Sequence, residues 1–190
     1  MVVRSIYLVV ALSTIFTLMG CWRPAGRATP HKNHSQALSL SSEEKVKTQA
    51  EAARCAVALF SGDVDAVIAL THPKLIEAAG GEKAAREQWK EAIQRTQLTS
   101  FEKQVETSFP SEPVLVRGTE HEFVIVPLRV EIKREGMKAV EQLLFPVGIR
   151  RRGDSRWRYT DGASTESMRQ LFPDFPPSYD VPEASIRVLD

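Results

Sequence analysis

Few side chains in this sequence combine a reactive type with a spacing that supports catalysis. His72 and His121 are the two histidines of the region that we expect to fold, and they lie far apart in the chain. His72 precedes Pro73 at a predicted helix break, which favours a capping or surface role over that of a base. His121 lies between Glu120 and Glu122 at the start of a predicted strand, where we expect it to be exposed. The spacing assigns no catalytic triad and no catalytic residue.

Metal and phosphate chemistry find little support in the sequence. His31 and His34 are three residues apart, but no Cys, Asp or Glu lies nearby to complete a coordination shell. We therefore interpret both as linker residues and predict no metal. Gly80-Gly81 does not belong to a glycine-rich phosphate loop and predicts a turn between helices. We predict no cofactor.

Cys21 is the residue with the most specific sequence signal. Arg4 is followed by an uncharged, mostly apolar run from Ser5 to Met19, too short to span a bilayer comfortably and typical of a secretory signal peptide. The residues Leu18-Met19-Gly20-Cys21 at its end resemble the bacterial lipoprotein signal. This resemblance implies cleavage before Cys21 and acyl chains such as palmitate on the mature N-terminus. The alternatives are an ordinary signal peptide and an uncleaved membrane anchor.

Cleavage before Cys21 would leave a chain of balanced charge. The mature chain would have 170 residues, with 24 basic and 24 acidic side chains. Neutral charge argues against nucleic-acid binding through bulk charge, and it assigns membrane attachment to acyl chains rather than to a polybasic segment. Because lipid on Cys21 excludes a disulfide between the two cysteines, we predict that Cys55 is a small buried residue on a helix, with a reactive thiol as the alternative.

Aromatic side chains are the candidates for a ligand pocket. The candidate pocket residues are Trp89, Phe101, Trp157 and Tyr159. Core packing is the alternative, because Trp89 lies on the apolar face of its predicted helix. A catalytic pocket would also need Asp, Tyr or His side chains converging in an apolar cavity, and the spacing does not show them.

Charged side chains stand out at two places. A basic tip is predicted at a hairpin turn near Gly153, where it could contact phosphate, anionic lipid or an acidic partner. The alternative is a solvated hairpin whose charges discourage edge pairing. The residues of this basic patch are Arg150, Arg151, Arg152, Arg156 and Arg158. Elsewhere, Arg129, Glu131 and Glu141 interrupt apolar strand faces and predict a cross-strand salt bridge, worth about 0.2–1 kcal/mol.

The elements that must position these residues begin with helices. Ser41 and Glu44 form a capping-box pattern that begins an amphipathic helix, and Gly62 ends it. A second, short helix begins after Asp63 and is broken at Thr71-His72-Pro73, and a third covers about residues 82–96. The predicted buried face of the first helix consists of Val46, Ala50, Ala53, Val57 and Phe60.

From residue 98 the apolar period changes to two, which indicates strands. Strands are predicted at 101–109, 121–133, 137–151 and 156–160, followed by a short helix at 164–171 and a Pro-rich tail on the surface. One face of the second strand is apolar throughout: Val124, Val126, Leu128, Val130 and Ile132. Pro127 and Pro146 lie inside long strands, where they favour bulges and a strongly curved sheet.

Helices followed by an antiparallel meander predict an α+β fold with the helices packed on one face of the sheet. The segment from Asp63 to Gly81 and the closing Trp-Arg-Tyr-Thr-Asp-Gly at 157–162 resemble segments of the nuclear transport factor 2-like superfamily, which includes ketosteroid isomerase-like and SnoaL-like proteins. This resemblance covers about residues 43–173. It implies a sheet wrapped around the helices into a cone whose open end can hold a small ligand. The superfamily includes enzymes and non-enzymes, so the fold does not decide the function.

The predicted organisation has four parts. A signal peptide covers 1–20, a flexible tether 21–42, the α+β domain 43–173 and a C-terminal tail 174–190. We expect a lipid-anchored domain in the bacterial cell envelope, facing the periplasm or the exterior. It would bind a small apolar ligand or an envelope protein without catalysis, bind no nucleic acid, and have a sheet through which two copies could pair. The alternative is a small isomerase or hydrolase that uses the same cavity.

Overall fold

The computed structural model describes residues 39–96, 103–134, 136, 138–160 and 164–189. Cys21, the predicted tether up to residue 38 and Phe101 lie outside the described residues. The helices are α1 (Ser42–Ser61), α2 (Val64–Leu70), α3 (Pro73–Ala78), α4 (Glu82–Thr96) and α5 (Thr165–Leu171). The strands are β1 (Lys103–Ser108), β2 (Val114–Arg117), β3 (His121–Ile125), β4 (Leu128–Arg134), β5 (Val140–Leu144), β6 (Val147–Arg151), β7 (Arg158–Thr160) and β8 (Ser185–Val188).

The start and end of α1 follow from local chemistry. The Ser41 hydroxyl accepts a hydrogen bond from the Glu44 N–H at 3.2 Å, and the Glu44 carboxylate accepts one from the Ser41 N–H. These bonds satisfy N–H groups that have no partner inside the helix. Gly62 ends the helix with a φ of 84°, in the left-handed region. The predicted capping box is confirmed, as is the cap of α2 by Asp63.

The face that α1 buries differs from the predicted one. Val46 and Val57 are 67% and 39% exposed, whereas Ala52 and Cys55 are buried. The prediction placed Val46 and Val57 in the core, which is wrong for both, whereas Ala53 and Phe60 of the predicted face are partly buried against the core. Small side chains let the helix backbone approach the strands closely, so the alanine-rich face is the one that packs. The prediction that Cys55 is a buried helical residue is confirmed.

The strands form two antiparallel sheets of four, in the orders β1-β4-β5-β8 and β2-β3-β6-β7. The predicted α+β class is confirmed. The single strongly curved sheet of the prediction is not found, because the long strands divide at the prolines and neither sheet is strongly curled.

One long hairpin connects the two sheets in register. Ile125 pairs with Val147 on one side of the interruption, and Leu128 pairs with Leu144 on the other. Two residues separate these pairs in each strand, one of them Pro127 or Pro146, and the Val126 N–H donates to the Pro146 carbonyl at 3.0 Å. Because the same number of residues interrupts both strands, their pairing resumes in register without a bulge. The apolar face therefore continues from β3 into β4, and its prediction is confirmed.

Helix α1 crosses the junction between the sheets. Its Ala52 and Cys55 pack on Val124 of β3 and on Val126, which directly follows β3. Ala56 packs on β4. The opposite face of the β2-β3-β6-β7 sheet is covered by α5 and the chain after it. Strand β3 is therefore buried on both faces, which explains its consecutive apolar residues Phe123, Val124 and Ile125.

The prediction that the C-terminal tail lies on the surface is wrong for its aromatic residues. Phe172, Phe175 and Tyr179 are buried against Phe123 and its neighbours, and β8 pairs with β5. The prolines of this segment prevent a helix, but they leave the aromatic side chains free to fill the sheet's second face.

Candidate functional site

The candidate pocket residues are divided between the core and a helix surface. Trp157 and Tyr159 are 2% and 1% exposed and belong to the core cluster beneath α1. Trp89 is half-buried on α4, which packs against α2 and α3. The structure thus brings Trp157 and Tyr159 together and places Trp89 elsewhere.

Tyr159 has a structural hydrogen bond. Its hydroxyl donates to the Thr48 carbonyl at 3.1 Å and lies 3.3 Å from the Glu51 carboxylate. Burial and the negative charge of Glu51 raise the pKa of Tyr159 above its usual value, so the phenol remains a protonated donor. A side chain at Gly148 would collide with the Tyr159 ring, which explains the glycine in β6.

Arg150 is turned away from the predicted basic tip. Its guanidinium lies 2.7 Å from the Glu122 carboxylate and 3.1 Å from that of Glu44, and it covers the Trp157 ring at 4.2 Å. This guanidinium therefore contacts two carboxylates and the Trp157 ring, and the Arg150 side chain is largely buried. Arg150 joins β6 to β3 and to the start of α1.

Arg151, Arg152 and Arg156 project from the β6–β7 turn, and all three are exposed. Arg158 is partly buried. Burial and the neighbouring charge of Arg156 lower the pKa of Arg158. The five predicted arginines are therefore divided into one structural residue, one intermediate residue and three exposed ones.

A cluster of polar groups that the sequence analysis did not predict lies at the β2–β3 turn. The Asp174 carboxylate accepts hydrogen bonds from the N–H groups of Glu120 and His121, at 2.9 and 2.8 Å. Its second oxygen is 3.0 Å from His121 Nδ1. Burial opposes ionisation of Asp174, but these donors together lower its pKa. A side chain at Gly118 would collide with Asp174, so the turn is shaped to receive it.

His121 is buried at 6% exposure, and the prediction that it is exposed is wrong. The flanking Glu120 and Glu122 suggested a wet strand end. The Asp174 carboxylate accounts for the difference, because it supplies a partner for the ring nitrogen from 53 residues away. The ring packs on Phe172, with centroids 5.4 Å apart.

His72 also packs on Phe172. Its ring centroid lies 4.9 Å from that of Phe172, and its Nδ1 accepts a hydrogen bond from the Lys74 N–H at 3.2 Å. The predicted capping role is confirmed. Burial first, and the charges of His121, Lys74 and Arg158 next, lower the pKa of His72 to about 4. His72 is therefore neutral over the physiological range.

The sequence separates these groups, and the fold brings them together. Asp174 orients His121 as a carboxylate orients a general base, but the ring is enclosed by Phe123 and Phe172. Within the described ranges, no three His, Cys, Asp or Glu side chains are arranged to hold a metal ion. The available signal was the spacing of Phe172, Phe175 and Tyr179, which marks a buried segment beside Asp174.

Of the three charged residues predicted to form a cross-strand salt bridge, Arg129 and Glu141 form one, whereas Glu131 lies opposite Glu141 and pairs with Lys133 of its own strand at 3.4 Å. Arg129 Nε lies 3.5 Å from a Glu141 oxygen, too long for a good hydrogen bond, and Arg187 of β8 lies 2.8 Å from the other oxygen. These pairs lie on the face away from α1 and stabilise the edge strand β8.

Comparison of the chain with protein-family models, curated proteins and solved structures finds no match in any of the three. Among the residues described, none of the helices combines the length and apolar composition needed to cross a bilayer.

Proposed function

We propose that this protein is a lipid-anchored domain of the bacterial cell envelope that binds a small ligand or a protein partner without catalysis. The observation that carries the proposal is the sequence Leu18-Met19-Gly20-Cys21 directly after an apolar run. Three of the candidate groups add support, because each has a structural partner. Tyr159 bonds to α1, Arg150 holds two carboxylates, and Asp174 closes the β2–β3 turn.

We also propose that the fold is a variant of the nuclear transport factor 2-like cone. The in-register hairpin that links the two sheets supports it, because a bend at Pro127 and Pro146 would turn one sheet toward the other around α1. Pairing of two copies through the face that carries Arg129 and Glu141 is part of this proposal. Sedimentation equilibrium tests it, and a monomer at all concentrations would contradict it.

The anchor is tested by fractionating bacteria that express the full chain. We expect the wild-type protein in the membrane fraction, released by detergent and not by high salt, because acyl chains bind through the hydrophobic effect. The Cys21→Ala variant should lack acyl chains, while Cys55→Ala serves as the matched control and should remain acylated. Equal acylation of the Cys21→Ala variant and the wild type would contradict the proposal.

A small hydrolase is the second candidate, and the Asp174–His121 pair is the observation in its favour. His121 would act as the base and Asp174 would orient it. The rings over His121 argue against access for a substrate. Hydrolysis of a set of nitrophenyl esters by the full chain tests this candidate. Turnover that is lost in both His121→Gln and Asp174→Asn, with the fold retained, would favour the enzyme over the binding domain.

A further inference from the structure

Four exposed cationic side chains lie on two elements that meet beside the start of α1. We call it the cationic face, and it consists of Lys47, Arg151, Arg152 and Arg156. Lys47 Nζ donates to the Ser155 carbonyl at 3.3 Å, which fixes the β6–β7 turn against the helix. The face is therefore built from two elements that are distant in sequence, and only its three arginines were predicted from the sequence.

The exposed arginines of the cationic face differ from Arg150 in their charged partners. No ion pair of Arg151, Arg152 or Arg156 occurs among the described residues, in contrast to Arg150 a few ångströms along the strand. The acidic residues near these cations are Asp154 in the turn, Glu120, whose carbonyl accepts from the Arg152 N–H, and Glu43 and Glu51, one helical turn on either side of Lys47. Residues 151–156 contain three arginines and one aspartate, so this end of the sheet carries a net positive charge.

The length of the chain before α1 allows this surface to reach a membrane. Nineteen residues lie between Cys21 and Ser41. A chain of this length spans at most about 70 Å when fully extended, which exceeds the radius of gyration of about 14 Å expected for a domain of this size. A lipid on Cys21 would hold the domain within contact distance of the bilayer at high local concentration. A surface of modest affinity is then sufficient for docking.

We propose that the cationic face docks on anionic lipid headgroups of the membrane that holds Cys21. Arginine guanidinium groups form charge-assisted hydrogen bonds to phosphate oxygens, and each cation near an anionic surface adds to the attraction. The inference rests on the proposed lipid anchor and adds an orientation to it. The β6–β7 turn and the start of α1 face the bilayer, and α4 faces away from it.

The test uses the full lipidated protein in vesicles, with a donor dye on Ser155→Cys and acceptor-labelled lipid headgroups. Vesicles contain phosphatidylcholine alone or an equal mixture with phosphatidylglycerol. We expect the ratio of docked to undocked domains to rise on the order of tenfold in the anionic vesicles and to fall with added salt. A dye on Lys83→Cys, on exposed α4, should show no such rise.

Charge reversal separates the cationic face from net charge. Arg151→Glu with Arg152→Glu should abolish the difference between the two vesicle types. The control variant, Lys83→Glu with Lys90→Glu on α4, changes the net charge by the same amount and should retain the difference between the vesicle types. Equal energy transfer in both vesicle types would overturn the proposal. A loss of energy transfer in inorganic phosphate far greater than the loss in sodium chloride of equal ionic strength would also overturn the proposal, because it would indicate a site for a small anion. Failure of the protein to remain on phosphatidylcholine vesicles would instead contradict the lipid anchor.

Discussion

At the scale of single residues, Asp174 holds together parts of the chain that are far apart. Its carboxylate fastens the segment after α5 to the β2–β3 turn through three hydrogen bonds. The caps at Ser41, Asp63 and His72 could be predicted because their partners lie within three residues. The Asp174–His121 contact could not, because no local pattern links residues 53 positions apart.

Replacing Asp174 with Ala should lower the free energy of unfolding by about 2–4 kcal/mol, since it leaves three donors without a partner in a largely buried site. Urea denaturation measures the change. Asp180→Ala is the matched control in the same segment, because it removes only the exposed ion pair with Arg169. The control should cost less than about 1 kcal/mol. Equal losses in the two variants would show that the Asp174 contacts do not stabilise the fold.

His72 should make the domain less stable in acid. Its folded pKa of about 4 lies below the ordinary value of 6.5, so the unfolded chain binds the proton more readily. Its contribution is therefore complete above pH 6.5 and is lost as the pH falls toward 4. With about 1.4 kcal/mol per pKa unit, the fall from 6.5 to about 4 corresponds to at most about 3.5 kcal/mol, and solvent screening of the partly exposed ring reduces the expected loss to on the order of 2 kcal/mol.

The check is urea denaturation at several pH values across that window, with His72→Asn for comparison. Asparagine keeps an acceptor for the Lys74 N–H and cannot titrate, so the stability of the variant should fall less steeply. Asp174, whose pKa is also lowered, adds its loss only at more acidic pH. Identical slopes for the wild type and the variant would assign the acid sensitivity to other groups.

At the scale of elements, most helices and strands were predictable, whereas the division of the long strands at Pro127 and Pro146, strand β8 and one helix face were not. Residue periodicity gave α4 as 82–96 and the long apolar strand face, because period and capping are local properties. The buried side of α1 depends on how closely the helix approaches the strands. That approach selects small residues on a face offset from the predicted one, and the spacing of apolar residues alone does not detect the offset.

Packing on the small-residue face of α1 gives a paired prediction. Ala52→Leu should cost about 1–3 kcal/mol, because the side chain is fully buried against Val124 and Val126 and has no space to expand. Val46→Ala should change stability by less than about 0.5 kcal/mol, since Val46 is exposed. Thermal unfolding followed by circular dichroism compares them. A larger loss for Val46→Ala would restore the face that the sequence predicted.

At the scale of the whole molecule, the chain after α5 completes the domain. Phe172, Phe175 and Tyr179 cover the second face of the β2-β3-β6-β7 sheet, so that the described core extends beyond residue 173. The sequence predicted the α+β class and the order of elements. It did not predict this covering, because prolines and polar residues among the aromatics resemble a surface tail.

Truncation measures the contribution of this segment. Ending the chain after Leu171 removes three large buried side chains, each worth about 3–5 kcal/mol, and should abolish cooperative unfolding. Ending it after Ala184 removes only β8, a short and largely exposed edge strand, and should leave a cooperative transition. Amide dispersion in proton NMR spectra distinguishes the two. A folded chain ending at Leu171 would contradict the arrangement of the core.

The mass of the mature protein, extracted from bacterial membranes with detergent, tests the central proposal of a lipid-anchored envelope domain most directly. We predict a chain that begins at Cys21, heavier than residues 21–190 by the mass of its acyl chains, with the added mass confined to the N-terminal peptide. An intact Met1, or a mature N-terminus without acyl chains, would contradict it.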